Sequence, residues 1–381
     1  MTASGSVLFP TTFGHCGIGW SKEGVAALVL PDTTEKRTAR TVAEQSAGPV
    51  DAPPVWVAEI IARVQQHLRG ERQRFDDLPV DLDLCSPFAL RVYRELRKVG
   101  PGQTVTYGQL AARVGQPGAA RAVGRAMATN RVPLIVPCHR VLAAAGPGAF
   151  SACGGVGTKL RLLTVEGADL DPVRRWAEGE LARRDEALAS IIRRVGRCRM
   201  YEQRDSEPFS ALAAAIIHQQ VSMSAGRTIF GRLVEACGGQ LDAASLLSLG
   251  GDKLQACGIS RQKRSYLEDL ASRVKQGSLQ LGSLRLLDDR LVIEALTAVK
   301  GIGLWTAQMF LMFRLGRLDV LPTDDLGLRQ GASRVYGWRK VTPQRLERQA
   351  RLWAPYRSIA TWYLWRANEA GGLCSLCAPA P

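Results

Sequence analysis

A short apolar run near residue 134 ends at a proline and is followed at once by a thiol, an imidazole and a guanidinium. Proline donates no ladder hydrogen bond and keeps the residue before it out of the helical region, so we predict a buried strand that stops at Pro137. Cys138 then follows on tightly packed backbone. Beside His139 its thiol can be held as the nucleophilic thiolate, although an arbitrary Cys-His pair is more often a small buried hydrophobe beside a surface histidine.

The composition is that of a globular chain with more than one core. At 381 residues, with 46% hydrophobic and 22% charged residues, two or three domains are expected. The net charge of +15 suits a polyanionic partner such as nucleic acid, but it does not by itself decide for one. The start resembles neither a signal nor a transit peptide, and no run reaches ~18 apolar residues. We therefore predict a cytoplasmic protein of the bacterial cytosol, associated with the nucleoid in use and without membrane contact.

Cysteine usage predicts neither a disulfide scaffold nor a metal or other cofactor. The nine cysteines are scattered and odd in number. Cys374 and Cys377 form a lone Cys-x-x-Cys pair, which cannot complete a four-ligand zinc or iron–sulfur site. His15, Cys16 and Cys85 could converge on a metal, but their spacing does not require it.

The first part of the chain predicts a small sheet and a helix. Residues 7–30 alternate apolar and polar positions around four glycines and predict two short strands. Residues 31–54 are polar and end in two prolines, which predicts a loop. Residues 55–69 carry apolar residues at helical spacing. We assign residues 1–84 to this sheet subdomain.

Helical signals follow from Ser86, whose proline neighbour marks a helix start. The predicted helices are residues 88–99, 106–115 and 119–129. A Gly-Gln-Pro-Gly turn joins the last two, which predicts a helix-turn-helix, with an ordinary pair of core helices as the alternative. The last helix is rich in alanine and glycine and carries Arg121 and Arg125. Such a helix approaches a duplex closely but reads few bases, so binding independent of base sequence is expected.

Taken together, these motifs resemble the O6-alkylguanine-DNA alkyltransferases. The resemblance covers residues 7–167 and implies an α+β fold, with the catalytic and DNA-binding subdomain at residues 85–168. It rests on Thr106-Tyr107-Gly108, Arg121-Ala122-Val123-Gly124, Asn130, Pro137-Cys138-His139-Arg140-Val141, Gly154-Gly155, Lys159 and Leu162-Leu163-Thr164-Val165-Glu166-Gly167.

The resemblance implies a chemical role for three residues. Cys138 accepts the alkyl group and keeps it, His139 relays the thiol proton through water, and Glu166 orients His139. A soft sulfur anion attacks an sp3 carbon in one displacement, whereas guanine leaves poorly as an anion and needs a proton donor.

Further residues are implied to handle DNA. Tyr107 helps to turn the nucleotide out and donates to the departing base, and Asn130 braces the turn under the active site. Arg121 fills the gap left in the duplex, and Arg125 on the same helix faces DNA with it. The target atom lies inside the base stack, so the nucleotide must be extruded.

One loop departs from the pattern of this family. A tyrosine or similar residue normally precedes the Gly-Gly pair over the pocket, but here Ala149-Phe150-Ser151-Ala152-Cys153 stands there, about one residue longer. Phe150 is the candidate for the pocket wall. Cys153 is either a packed small residue or a thiol that competes with Cys138 or, under oxidation, forms a disulfide with it.

A linker and a second, all-helical domain follow. Residues 169–184 are charged and helix-forming and are predicted to be the linker, and residues 185–381 the second domain. Residues 209–234 show one long helical pattern, and residues 258–263 a turn at the start of another helix.

A glycine turn carries the second set of chemical signals. Gly301-Ile302-Gly303 lies between two predicted helices and bares backbone N–H groups suited to a phosphate, with Lys300 and Thr306 beside it. Such a turn alone is a weak signal. Asp324-Asp325 follow 20 residues after Trp305, however, in the loop Pro322-Thr323-Asp324-Asp325-Leu326-Gly327.

These features resemble the helix–hairpin–helix DNA glycosylases, most closely those that excise 3-methyladenine. The resemblance covers residues 185–370 and includes His218-Gln219-Gln220-Val221-Ser222 and Tyr356-Arg357-Ser358. It implies that Asp325 is catalytic, with Asp324 as the fallback, and that Gln220 is the wedge entering the duplex. Trp305 stands where the lyase branch has its lysine, which implies hydrolytic excision without strand cleavage.

The chemistry of the substrate agrees with these residue types. A purine alkylated at N3 or N7 is cationic, so it leaves readily and stacks on electron-rich rings, for which Trp305 and Trp365 are the candidates. Positive charge grows on the sugar as the glycosidic bond breaks, and a fixed carboxylate stabilises it.

The sequence therefore predicts a multidomain monomer that binds double-stranded DNA with alkylated bases and carries two repair activities. One removes alkyl groups from O6 of guanine in a single turnover, and the other excises N-alkylated purines. The alternatives are a sensor that signals alkylation through methylated Cys138, or a lesion-binding protein with one half inactive.

Overall fold

The computed structural model describes residues 4–201 and 207–368. The chain divides into two compact units, Met1–Trp176 and Ala177–Pro381. The division falls within helix α7 (Asp171–Arg184), in the segment for which a linker was predicted. Cys374 and Cys377 lie outside the described residues.

The first unit begins with a three-stranded antiparallel sheet in the order β1-β2-β3. Its strands are β1 (Gly5–Thr11), β2 (Gly14–Ser21) and β3 (Gly24–Val29). The prediction of two strands over residues 7–30 is wrong, because two-residue turns fit a third strand into the same segment. Those turns, Thr12-Phe13 and Lys22-Glu23, contain none of the Asn-Gly or Asp-Gly pairs that announce a tight hairpin.

A helix, α1 (Glu35–Gln45), occupies much of the segment predicted to be a loop. Its N-terminus is capped by Thr34, whose side chain accepts from the N–H of Arg37. It buries only Thr38 and Val42, so its apolar stripe is too sparse to show helical periodicity in the sequence. The prediction of a loop is therefore wrong for these residues, whereas α2 (Val55–Leu68) forms as predicted.

The three helices predicted after Ser86 are confirmed. Ser86 caps α3 (Pro87–Arg97) by accepting from the N–H of Ala89, and Thr106 and Gln109 form a capping box at the start of α4 (Tyr107–Arg113). The remaining elements of this unit are α3 (Pro87–Arg97), β4 (Val105–Thr106), α4 (Tyr107–Arg113), α5 (Ala120–Ala128), β5 (Val141–Leu142) and α6 (Gly155–Val165), with β4 and β5 paired in parallel.

The strand predicted to end at Pro137 does not form. Residues 131–137 form bends and turns that bury most of the apolar side chains, and Leu134 has a φ of 72° that no strand residue adopts. The side chain of Asn130 supplies hydrogen bonds that a neighbouring strand would otherwise provide. It donates to Val136 O over 2.8 Å and accepts from Val132 N over 3.1 Å. The apolar run therefore buries its side chains without strand pairing.

The described residues of the second unit contain helices and no strand. The long pattern over residues 209–234 is two helices rather than one, because Gln220 has a φ of 55° and Ser222 caps a new helix. The helices are α8 (Glu186–Val195), α9 (Pro208–His218), α10 (Met223–Ala236), α11 (Ala243–Ser248), α12 (Gly251–Ala256), α13 (Arg261–Lys275), α14 (Asp289–Thr297), α15 (Leu304–Met309), α16 (Leu326–Tyr336), α17 (Pro343–Ala350) and α18 (Arg357–Arg366).

A glycine brings α16 and α18 close together. A Cβ at Gly331 would clash with the backbone carbonyl of Leu364 on α18. The close approach places Trp365 beside the start of α16. None of the helices that the structure describes has the length and apolar character to cross a membrane.

Candidate active sites

Cys138 opens a short 3₁₀ turn, Cys138–Arg140, at the wall of a cavity. Its side chain is buried, with 5% of the residue exposed. The cavity has a volume of about 460 Å³, and Phe150 and Cys153 from the departing loop also line it. The thiol therefore faces a cavity that can admit part of a ligand. The loop that was predicted to lie over the pocket contributes to the wall of this cavity.

A buried histidine and a buried glutamate stand behind the thiol. Nε2 of His139 donates to Oε1 of Glu166 over 2.8 Å. Nδ1 of His139 is buried and has no hydrogen-bond partner among the described residues. Burial lowers the pKa of His139 below its usual value in spite of Glu166 beside it. The ring is therefore neutral at neutral pH, with a lone pair on Nδ1 that can accept a proton.

Two residues to which the sequence assigned no role complete this network. His67 accepts from the N–H of Gln73 at Nδ1 over 3.2 Å, so its Nε2 carries the hydrogen and donates to Glu166 over 2.9 Å. Arg140 donates to the same carboxylate from Nη2 over 2.7 Å and from Nε over 3.0 Å. Arg140 lies in the same five-residue motif as Cys138 and His139. No local sequence signal connects His67 to Glu166, which is 99 positions away.

These contacts keep the carboxylate charged although it is buried. Burial alone would raise the pKa of Glu166, but the hydrogen bonds that the carboxylate accepts from His139, His67 and the Arg140 guanidinium outweigh it. The pKa of Glu166 therefore lies well below its usual range. A permanent acceptor holds His139 by Nε2 and leaves Nδ1 free.

Lys159 and Tyr107 bring a cation and a phenol to the same region. Nζ of Lys159 donates to Val141 O over 2.6 Å and lies 5.9 Å from the centroid of the Tyr107 ring. Burial lowers the pKa of Lys159 to about 8. Burial raises the pKa of the Cys138 thiol, opposed by a hydrogen bond from Asn130 and the charge of Lys159. Burial also raises the pKa of Tyr107, so its hydroxyl stays a donor.

The arginines predicted to face DNA lie on the surface. Arg121 and Arg125 are both exposed on α5. No ion pair within the first unit occupies either of them among the residues that the structure describes. Their charges are therefore available to phosphates.

The metal site considered for His15, Cys16 and Cys85 does not form. His15 pairs with Glu35 over 2.7 Å. Burial raises the pKa of the Cys16 thiol to about 12, which disfavours the thiolate that binds metals. No group of three or more His, Cys, Asp or Glu side chains placed to hold a metal ion occurs within the described ranges.

In the second unit, Asp325 is held by two tryptophans and a helix. It caps α16, accepting at Oδ1 from the N–H of Leu328 over 2.5 Å. Trp365 donates to the same oxygen over 2.7 Å, and Trp305 donates to Oδ2 over 2.8 Å. Three uncharged N–H donors fix the direction of this half-buried carboxylate.

The adjacent carboxylate, Asp324, and the two tryptophans differ in how exposed they are. Asp324 is exposed and pairs with Arg329 over 2.7 Å, so it points away from the tryptophans. Trp365 is buried, with its ring stacked on Phe313 at 5.7 Å. Trp305 is half-buried. Of the two rings predicted to receive a base, Trp305 is therefore the more accessible, and Trp365 packs and orients Asp325.

The glycine turn stands before α15, and the loop with Gln220 is tied to it. Gly301 has a φ of 80°, and a Cβ there would clash with the Tyr266 ring. Nε2 of Gln219 donates to Gly301 O over 2.8 Å. Nζ of Lys263 donates to Ile217 O and Gln219 O over 2.6 and 2.7 Å. Gln220 is left exposed at the apex of a rigid loop.

On the glycine turn itself, Lys300 and Gly303 are exposed and Thr306 is buried.

Comparison with known proteins gives matches in both units. Residues 87–168 match the family described as 6-O-methylguanine DNA methyltransferase, DNA binding domain. Residues 213–355 match the HhH-GPD superfamily base excision DNA repair protein.

Three curated relatives are similar to different parts of the chain. A methylated-DNA–protein-cysteine methyltransferase of Methanothermobacter thermautotrophicus is 31% identical over 155 residues, which span 41% of this chain and 81% of the relative. One of Metallosphaera sedula is 42% identical over 109 residues, 29% of this chain and 67% of the relative. DNA-3-methyladenine glycosylase 1 of Schizosaccharomyces pombe is 31% identical over 198 residues, 51% of this chain and 87% of the relative. The chain therefore belongs to two families, the methylated-DNA–protein-cysteine methyltransferases and the HhH-GPD DNA-3-methyladenine glycosylases.

Proposed function

We propose that this chain repairs alkylated DNA by two reactions, a single alkyl transfer to Cys138 and a repeated hydrolytic excision directed by Asp325. One observation supports the pair best. Each unit holds one reactive group in a fixed network, a thiol backed by His139 and Glu166 and a carboxylate held by two indole N–H groups. The catalytic unit of the first reaction is assigned to residues 85–168 and that of the second to residues 185–381.

The first reaction displaces guanine from an alkyl carbon. The Cys138 proton passes through a water molecule to Nδ1 of His139, which Glu166 holds by its other nitrogen. The Sγ–C bond forms as the C–O6 bond breaks, and the electron pair stays on guanine. Tyr107 donates the proton that guanine takes up, which balances the proton lost by the thiol. The thioether product is stable, so each molecule acts once.

Asn130 and Lys159 support this step from the protein side. Asn130 holds the backbone turn that presents Cys138, through its bonds to Val136 and Val132. The charge of Lys159 favours the thiolate as it forms. Arg121 enters the duplex where the nucleotide has left, and Arg125 binds the backbone beside it.

The second reaction breaks a glycosidic bond. The C1′–N bond cleaves, and its electron pair neutralises the departing alkylated purine. Asp325 faces the sugar as it turns cationic and orients the water that adds to C1′, with loss of one proton from that water. Trp305 receives the cationic base on its ring. A tryptophan cannot form a Schiff base, so the reaction ends at the abasic site.

The partner is double-stranded DNA with alkylated bases, bound by a monomer in the cytoplasm. Gln220 wedges into the duplex, and the turn with Lys300, Gly301, Gly303 and Thr306 binds its backbone next to Asp324 and Asp325. Neither reaction requires a metal or another cofactor.

Each proposed reactive residue is tested beside a control, in which a nearby residue of the same amino-acid type is changed. Purified protein is given one duplex with O6-methylguanine and one with 3-methyladenine, and protein mass and released base are measured. We expect Cys138→Ala to lose the alkyl adduct and keep excision, and Asp325→Asn to do the reverse. Cys153→Ala and Asp324→Asn are the matched controls and keep both activities.

Three outcomes contradict the proposal. An undiminished methyl adduct in Cys138→Ala would move the acceptor elsewhere, and full excision by Asp325→Asn would remove its role. If the wild type bound one lesion without changing it, that half would be a lesion-binding or sensing module.

A further inference from the structure

One face of helix α13 is bonded both to the loop that carries Gln220, here named the wedge loop (residues 217–220), and to the glycine turn. Lys263, Tyr266 and Asp269 follow one another at intervals of three residues, which places their side chains on the same side of the helix. Lys263 donates to two backbone carbonyls of the wedge loop. The other two side chains contact the glycine turn. The helix therefore connects the two segments that are proposed to meet the DNA.

Asp269 holds the residue at which the glycine turn begins. Its Oδ2 accepts from the backbone N–H of Lys300 over 3.0 Å. The same oxygen accepts from Nε of Arg273 over 2.9 Å, and the side chain of Asp269 is only 17% exposed. Partial burial would raise the pKa of Asp269, but the hydrogen bonds from Lys300 and Arg273 hold it below its usual value. The carboxylate is therefore a charged, fixed acceptor for the start of the turn.

The glycine turn in its place holds the wedge loop. Gly301, directly after Lys300, packs against the Tyr266 ring and leaves no room there for a Cβ. The carbonyl of Gly301 accepts from Nε2 of Gln219 over 2.8 Å. Gln219 directly precedes Gln220 in the sequence. The position of the turn and the position of Gln220 are therefore joined through a single hydrogen bond.

The backbone conformation of Gln220 shows that the wedge loop is under constraint. Its φ of 55° lies in the left-handed region, which residues other than glycine rarely adopt. Such a conformation costs free energy and persists only where the surroundings fix it. The side chain of Gln220 is exposed, so its own packing does not supply the constraint. The hydrogen bonds at Ile217 and Gln219 supply it, from α13 and from the glycine turn.

We propose that Asp269 is a positioning residue for base excision, which holds the glycine turn and the wedge loop in a fixed relation to each other. Contact of the turn with the DNA backbone then sets how Gln220 enters the duplex. That Gln220 is the wedge rests on the proposed function. Asp269 forms no hydrogen bond with Asp325 among the described residues, so it acts through Gln220 and not through the chemical step.

Single-turnover excision of 3-methyladenine by the full chain tests the proposal. Asp269→Ala removes the acceptor, and we expect excision from a fully paired duplex to slow roughly 10-fold, because a hydrogen bond to a charged group is lost. With the lesion in an unpaired bulge, where extrusion costs little, the variant should match the wild type. Asp269→Asn should restore excision from the paired duplex, because its amide oxygen can take the position at which both hydrogen bonds converge.

A double variant shows whether Asp269 acts through Gln220. Gln220→Ala should slow excision from the paired duplex, and adding Asp269→Ala should slow it no further, because residues that act as a unit are not additive. Asp242→Ala is the matched control. It removes the acceptor that caps α11 through the N–H of Ser245 and so loses a hydrogen bond of similar kind. Asp242 bonds to neither the wedge loop nor the glycine turn in the described part of the chain, so this variant should excise at the wild-type rate.

Several outcomes would overturn the proposal. They are an unchanged rate in Asp269→Ala, equal slowing on the paired and bulged substrates, no recovery in Asp269→Asn, or independent effects in the double variant. If Asp269→Ala were unfolded at the assay temperature, Gln219→Leu takes its place, because it breaks the bond to Gly301 at the other end of the same connection. The proposed function fails separately, if the wild type releases no base even from the bulge.

Discussion

Trp305 donates its indole N–H to Oδ2 of Asp325 over 2.8 Å, across 20 positions of sequence. The same carboxylate receives the indole N–H of Trp365 from the other side, on Oδ1. Neither donor carries charge, so the two bonds fix the direction of the carboxylate without placing a countercharge beside it. Such a group can stabilise a cation without any reorganisation when the cation forms.

Replacing Trp305 by phenylalanine should separate orientation from stacking. Trp305→Phe keeps an aromatic face for the base but removes the hydrogen bond to Asp325. A hydrogen bond to a charged group is worth about 1.5–3 kcal/mol, so we expect single-turnover excision of 3-methyladenine to slow by roughly 10- to 100-fold. Trp362→Phe changes another tryptophan of this unit, one that makes no hydrogen bond to Asp325 among the described residues, and should excise at the wild-type rate. An unchanged rate in Trp305→Phe would show that the bond does not matter.

His67 should support alkyl transfer through Glu166. His67→Leu removes one donor from a buried carboxylate, which costs about 1–3 kcal/mol of unfolding free energy and loosens the hold on His139. We expect slower transfer and a changed pH–rate profile. His67→Gln can still donate and should recover much of the rate. Equal rates in the Leu and Gln variants, measured from the adduct mass over time, would count against this role.

Lys159 should make stability depend on alkaline pH. Its pKa is about 8 in the folded protein against an ordinary 10.5, so the unfolded chain binds more protons between these values. The free energy of unfolding therefore rises with pH in this window, by at most ~1.4 kcal/mol per unit for this group. Denaturation of wild type and Lys159→Met at pH 8 and pH 10 measures it. The wild type should gain stability relative to the variant, and a constant difference would refute the prediction.

Lys263 should affect the rate of excision only when the damaged base must be extruded from a paired, stacked duplex. Lys263→Met frees the loop that carries Gln220 from two hydrogen bonds. We expect slower excision from a fully paired duplex. With the lesion in an unpaired bulge, extrusion costs little, so the variant should match the wild type.

The controls for this experiment are Gln220→Ala and Asp325→Asn. Gln220→Ala should behave as Lys263→Met does, whereas Asp325→Asn should fail on both substrates because the chemical step is lost. If Lys263→Met were equally slow on the bulge, its role would be structural stability, which thermal denaturation would reveal.

Local signals were sufficient for much of the secondary structure. Helices with a capping residue and an apolar stripe, such as α3 and α4, are visible in sequence because both signals lie within a few residues. The prediction failed where that condition did not hold. Helix α1 has almost no apolar stripe, the turns between the three strands lack a turn pair, and Asn130 supplies hydrogen bonds that were attributed to a strand.

The sequence by itself determined which segments carry the proposed reactive groups, because Cys138-His139 and Asp324-Asp325 stand in motifs that are continuous along the chain. Only the tertiary structure decided how those groups are held. It turned Asp325 toward two indoles and Asp324 toward Arg329. It also brought His67 to Glu166 across 99 positions, since the burial that makes such a contact strong depends on packing between distant elements.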